Sequence, residues 1–202
     1  GGGGLAAAMD AALPLQASSV DLSGFQLGGE TDWIKASEVE GESKEVGFKV
    51  IYEGRERVVS TGMDSHGDLK LMVEADPVMV ETVVAWMKSE PSGLTSLTLD
   101  WGEACGRVRE ALLDMVQTTR TLIKLKIEEE AMPLDPLQLN GRDAVLSLDI
   151  DLSGKKLGPG SAAVIARALT VNKVLTTLNL SENSISNEGG VAIGKALAVN
   201  EN

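Results

Sequence analysis

The chain has 202 residues, 43% of them hydrophobic but only 3% aromatic, with 30 acidic against 18 basic side chains and a net charge of −12. That is enough to bury a sizeable aliphatic core without metal or disulfide staples, and the one cysteine, Cys105, excludes an internal disulfide and points to the cytoplasm or another reducing compartment. No Lys/Arg cluster offers the counterion release that nucleic-acid binding needs, the densest charge run, Glu128-Glu129-Glu130, has the wrong sign for anionic membranes, and no apolar run approaches the ~20 residues of a membrane span.

The chain opens on four glycines rather than Met, as a fragment or a processed form would, and a removed targeting segment would leave no trace. Residues 1–19 are Gly/Ala-rich, with a short helix predicted over 5–12. Val20-Asp21-Leu22-Ser23-Gly24 is echoed by Ile150-Asp151-Leu152-Ser153-Gly154. Residues 28–47 are polar and acidic and read as a solvated connection. Residues 46–60 read as two strands about a Glu53-Gly54 turn, a β-hairpin insertion. Its Tyr52, Arg55 and Arg57 differ from the acidic remainder, and it serves either as a cap on the first strand edge or as a second docking site. Asp64-Ser65-His66-Gly67-Asp68 lacks the residue order of a calcium loop and reads as a turn into the next strand. Residues 1–65 are thus assigned to an N-terminal cap region and 66–202 to a repeat array.

An apolar residue and its i+2 neighbour recur as Leu69/Leu71, Leu97/Leu99, Leu125/Ile127, Ile150/Leu152 and Leu178/Leu180, in steps of 28, 28, 25 and 28 residues. Each pair puts two side chains on one face of a short strand. Helical spacing follows each strand, as in Val80, Val83, Val84, Met87 and in Val108, Leu112, Met115, Val116. Asp76-Pro77 is a helix start, an N-cap acceptor before Pro at the first helical position. Trp86 lies beside an apolar stripe and is expected in the core. Trp101 either covers the loop layer or anchors a contact. Cys105, far in sequence from the sole histidine His66, reads as a small buried thiol rather than a nucleophile. Met132-Pro133-Leu134-Asp135-Pro136, in the shortened unit, should prevent a regular helix and leave an irregular convex segment. Asp149 and Asp151 flank Ile150 as exposed strand residues, and Gly158-Pro159-Gly160 reads as a repeat turn rather than a phosphate cradle.

Neither strand nor helix can bury its apolar face alone, so the units are expected to stack. Strands stack at ~4.8 Å and helices at ~8–10 Å, which bends such an array into a horseshoe with a curved parallel sheet inside and helices outside. The final unit, Leu175-x-x-Leu178-x-Leu180-x-x-Asn183-x-Ile185, resembles the ribonuclease-inhibitor-like class of leucine-rich repeats, shared by NLR receptors and Ran GTPase-activating protein. The motif is degenerate elsewhere; Lys155 stands where Asn183 would recur one unit earlier.

The resemblance implies an α/β solenoid acting as a protein-binding scaffold, with neither catalytic residues, cofactor nor metal. The expected binding residues are the outward strand positions Lys70, Thr98, Lys126, Asp151 and Asn179, facing another protein rather than nucleic acid or a membrane. By analogy within the class, regulation of a GTPase is an alternative, as is a structural place in a larger assembly. The last unit carries no polar capping repeat, so the chain is expected to continue past Asn202, or to be covered at that end by another subunit or copy.

Overall fold

The computed structural model describes residues 17–200 except 24, 26, 30–33, 42, 47, 53, 73–76, 92 and 103. The helix expected over 5–12, Trp33 and the Asp76 cap lie outside the described residues.

Short strands alternate with helices over most of the chain, because runs of aliphatic pairs are punctuated by Pro and Gly. Strand β1 is Ser19–Asp21, followed by β2 (Ile34–Lys35), β3 (Lys49–Tyr52), β4 (Arg55–Thr61) and β5 (Asp68–Met72). Helix α1 (Pro77–Lys88), β6 (Ser96–Thr98), α2 (Gly106–Thr118), β7 (Lys124–Lys126) and the five-residue α3 (Pro136–Asn140) come next. The described chain closes with β8 (Asp149–Asp151), α4 (Pro159–Leu169), β9 (Thr177–Asn179) and α5 (Asn187–Val199). Three of the helices begin on Pro77, Pro136 and Pro159, where a missing N–H costs no hydrogen bond.

The expected solenoid with one curved parallel sheet does not form. The described strands fall into three sheets: β1-β6-β7, parallel; β2-β5-β4-β3, antiparallel; and β8-β9, parallel. Two physical causes separate them. The first is that β5, which carries Leu69 and Leu71, pairs antiparallel with β4 and β2 instead of parallel with β6. The chain leaves the parallel sheet after β1, builds the antiparallel sheet, and returns through α1 to lay β6 against β1, Val20 facing Leu97. The hairpin β3-β4 is therefore half of a separate sheet rather than an appendage to a repeat. That sheet has its own small core of Val39, Val50, Val59, Leu69 and Leu71.

The second break lies beyond β7. The edge of β7 facing away from β6 is taken by Leu134, whose N–H donates to the Leu125 carbonyl (2.8 Å) and whose carbonyl accepts from the Leu125 N–H (2.9 Å). Strand β8 cannot use those groups and pairs with β9 alone. Met132 N–H in turn donates to the Lys155 carbonyl (3.0 Å), so the segment 132–134 forms a seam between the two parallel sheets. The proline-rich stretch does not stay irregular throughout: Pro136 opens α3, capped by the Asp135 carboxylate, which accepts from Leu137 and Gln138 N–H.

Between β6 and β7 and between β8 and β9 the 28-residue step is the pairing register, Leu97 opposite Leu125 and Ile150 opposite Leu178. Behind both sheets lies one aliphatic core, in which Val20, Leu97, Leu125 and Ile150 meet Val83, Leu112, Val164 and Ile165 from the helices. Trp86 is buried in it. Close packing of α4 on α5 depends on Gly189, where a Cβ would come within 2.7 Å of the Ala162 methyl. Among the described residues, no helix is long and apolar enough to cross a membrane.

Candidate protein-binding surface on the exposed strand face

Because strand side chains alternate, burial of Leu97, Leu125 and Ile150 turns their neighbours away from the core. In the three-stranded sheet the outward positions form two rows, Ser19–Ser96–Lys124 and Asp21–Thr98–Lys126. In the two-stranded sheet they are Asp149 beside Thr177 and Asp151 beside Asn179. Lys124, Asp149, Asp151, Thr177 and Asn179 are exposed, and Thr98 and Lys126 half-buried.

The five positions expected from the sequence are therefore divided. Thr98 and Lys126 are direct cross-strand neighbours, as are Asp151 and Asn179. Lys70 lies on β5 of the antiparallel sheet, between the fully buried Leu69 and Leu71, and does not join them. Asp21, outside the five expected positions, also belongs to the face, opposite Thr98; the sequence echo between 20–24 and 150–154 is the signal that equates it with Asp151.

Local hydrogen bonds hold these side chains. The Asp21 carboxylate accepts from the Ser23 N–H (2.9 Å) and hydroxyl (2.7 Å), and the Asn179 side-chain carbonyl accepts from the Ser181 N–H (3.1 Å) and hydroxyl (2.8 Å). Asp151 accepts from the Ser153 N–H (2.9 Å). Three strands thus end in the same short turn, Asp or Asn followed two residues later by Ser. The Ser23 hydroxyl and N–H, with a smaller contribution from the Lys126 charge, hold the Asp21 carboxyl below the usual carboxylate range. The Ser153 hydroxyl and N–H do the same for Asp151. Both are acceptors at neutral pH, and with Asp149, two lysines, four hydroxyls and an amide they give mixed hydrogen-bonding chemistry and both signs of charge.

Elsewhere, residues singled out for chemistry have structural partners. The Asp64 carboxylate accepts from His66 N–H (2.8 Å) and Asp68 N–H (3.0 Å), closing the turn into β5. The N–H groups of Gly158 and Gly160 donate to the Glu128 carboxylate (2.9 and 2.8 Å), to which the Ser161 hydroxyl also donates. Glu128 thereby caps α4 from 30 residues upstream, a role its place in an acidic run conceals. Trp101 is half-buried, with the Arg109 guanidinium 5.1 Å from its ring centroid and Gly160 against the ring; it covers the loop layer. Cys105 is partly exposed at the N-cap of α2 and lines, with Ser60, Val58, Met72 and Arg109, a cleft of about 450 Å³ beside the antiparallel sheet. No group of three or more His, Cys, Asp or Glu among the described residues could hold a metal ion.

No protein-family model and no curated protein matches the chain.

Proposed function

We propose that the chain is a non-enzymatic scaffold that holds another protein against the outward face of its parallel strands, in a reducing intracellular compartment. The observation that carries this reading is the set of outward side chains on β6, β7, β8 and β9, backed by one aliphatic core. Rigid strands present these groups with little ordering entropy left to lose on binding. Their mixed chemistry suits a protein surface better than a polyanion. The resemblance of residues 175–185 to a class of protein-binding repeats points the same way.

The test is affinity capture from native extract, with Thr98, Lys126, Asp151 and Asn179 all changed to Ala in one variant and Lys70→Ala as a second. The four-site variant should keep its circular dichroism and a cooperative melt, at a somewhat lower temperature because Asp151 and Asn179 lose their turn hydrogen bonds, while losing the captured protein, and Lys70→Ala should retain it. Capture unchanged by the four-site variant would reject the face.

A second reading, a structural subunit of a larger assembly, draws on the far end of the fold. There Val191, Leu197 and Val199 of α5 are exposed, and Leu178, Leu180 and Ile185 are only partly buried. It predicts a stoichiometric partner lost with Leu197→Lys and retained by the strand-face variant.

A further inference from the structure

We propose that the partner for part of this face is a second copy of the same chain, docked so that β7 of each copy lies against β8 of the other. This rests on the strand face being a protein-binding surface and names what it binds.

The two strands carry opposite charge. On β7 the outward side chains flanking buried Leu125 are Lys124 and Lys126; on β8 those flanking buried Ile150 are Asp149 and Asp151. One strand presents two cations and the next in the chain two anions. The Leu134 seam keeps β7 and β8 from hydrogen-bonding to each other. Among the described residues no ion pair joins these four side chains to one another; the described ion pairs are Arg107–Glu81, Lys156–Glu130, Arg167–Glu110, Arg167–Asp114 and His66–Asp64. At longer range Lys126 lies in the field of Asp21 and Glu130 and Asp151 in that of Lys155, and the Asp149 carboxylate accepts from the Thr176 hydroxyl (3.3 Å).

Apolar side chains accompany the charges. Ile123 immediately precedes β7 and Leu148 immediately precedes β8, each about half exposed, and Val145 and Leu146 stand exposed beside them in sequence. Leu146 is held at φ 50°, a left-handed conformation costly for a non-glycine residue. The Asp143 carboxylate fixes this turn by accepting from the Ser147 N–H and hydroxyl. Val145, Leu146 and Leu148 thus leave adjoining aliphatic surface in water around this turn, the kind of patch that marks an interaction surface.

A twofold contact requires a patch complementary to itself, residue i meeting j while j meets i. A cationic strand and an anionic strand meet that requirement, since a half-turn sets Lys124 and Lys126 of each copy against Asp149 and Asp151 of the other. Burial of Ile123, Val145, Leu146 and Leu148 supplies the affinity, and the charges set register and orientation.

The experiment is sedimentation velocity on the whole chain and two charge-reversed variants, Lys124→Glu/Lys126→Glu and Asp149→Lys/Asp151→Lys. The native chain should show a monomer–dimer equilibrium that weakens with added salt. Each variant alone should bind itself at least ~10-fold more weakly, and an equimolar mixture of the two should recover the dimer. The aspartate-to-lysine change is the sharper arm, because it moves the acidic chain toward neutrality and general repulsion would then predict tighter association. Recovery in the mixture also shows that both variants fold. A native chain monomeric at about 100 μM, variants that dimerise like the native chain, or a mixture that stays monomeric would each overturn the proposal. A monomer that still captures another protein through Thr98, Lys126, Asp151 and Asn179 would remove the self-pairing alone and leave the scaffold reading standing.

Discussion

Three asparagines tie successive layers together at the helix ends. Asn140 Nδ2 donates to the carbonyls of Val116 (2.9 Å) and Thr119 (3.3 Å), Asn172 Nδ2 to Leu139 (3.0 Å) and Gln138 (3.3 Å), and Asn200 Nδ2 to Leu169 (2.6 Å) and Asn172 (2.8 Å). Each adds a donor to carbonyls at, or just beyond, the C-terminal end of the preceding helix. Asn172 is fully buried and also accepts from Val174 and Leu175 N–H (2.8 and 2.9 Å). Asn172→Ala should therefore cost about 2–4 kcal/mol in chemical denaturation, since several buried groups lose their partners together. Val171-Asn172 and Val199-Asn200 are visible as repeated pairs in the sequence, but nothing local says that the side chain reaches back one layer. Glu128→Ala should cost about 1–3 kcal/mol by the same argument, leaving the first N–H groups of α4 uncapped. Gly160→Ala should destabilise the fold too, because the new methyl would lie 2.6 Å from Trp101 Cγ.

Titration at single residues carries a sign that can be checked. Asp21 and Asp151 have lowered pKa values through their serine hydrogen bonds, so each adds stability that is present above about pH 4 and is lost as pH falls through the folded value. Burial raises Asp135 against the opposing pull of the Gln138 and Leu137 N–H groups, and its contribution has the opposite sense, present at low pH and lost as pH rises through its folded value. Comparing Asp135→Asn with the native chain in urea at several pH values should show the difference in unfolding free energy shifting in the variant's favour as pH rises.

At the scale of elements, the aliphatic pairs mark where strands form but not the direction in which they pair. Leu69/Leu71 and Leu97/Leu99 share the same two-residue alternation, and that pattern is identical for a strand paired parallel or antiparallel. What decides is the neighbour: β5 has β4 within a short turn of chain, and close antiparallel pairing wins over a distant parallel one. The interruption at Leu134 was likewise out of reach. Pro133 and Pro136 announce irregular backbone, yet the capture of the β7 edge depends on a residue folding back nine positions to Leu125. Leu134 is buried as well as hydrogen-bonded, so Leu134→Ala should destabilise by about 2–5 kcal/mol. Loss of hydrogen-exchange protection should centre on the Leu125 amide.

At the scale of the molecule, one aliphatic core supports two parallel sheets whose outward faces are charged, and a second small core supports the antiparallel sheet. This division explains why four of the five expected face residues group in two neighbouring pairs while Lys70 stands apart. The face could be drawn from the sequence wherever the 28-residue step is also the pairing register, and failed where an inserted sheet put β1 beside β6. The measurement that bears most directly on the binding role is amide hydrogen exchange of the chain with and without its captured partner. Added protection in residues 95–99, 123–127, 148–152 and 176–180, with the antiparallel sheet unchanged, is the predicted result. Protection confined to residues 49–72, or to α5, would contradict it and place the binding surface elsewhere.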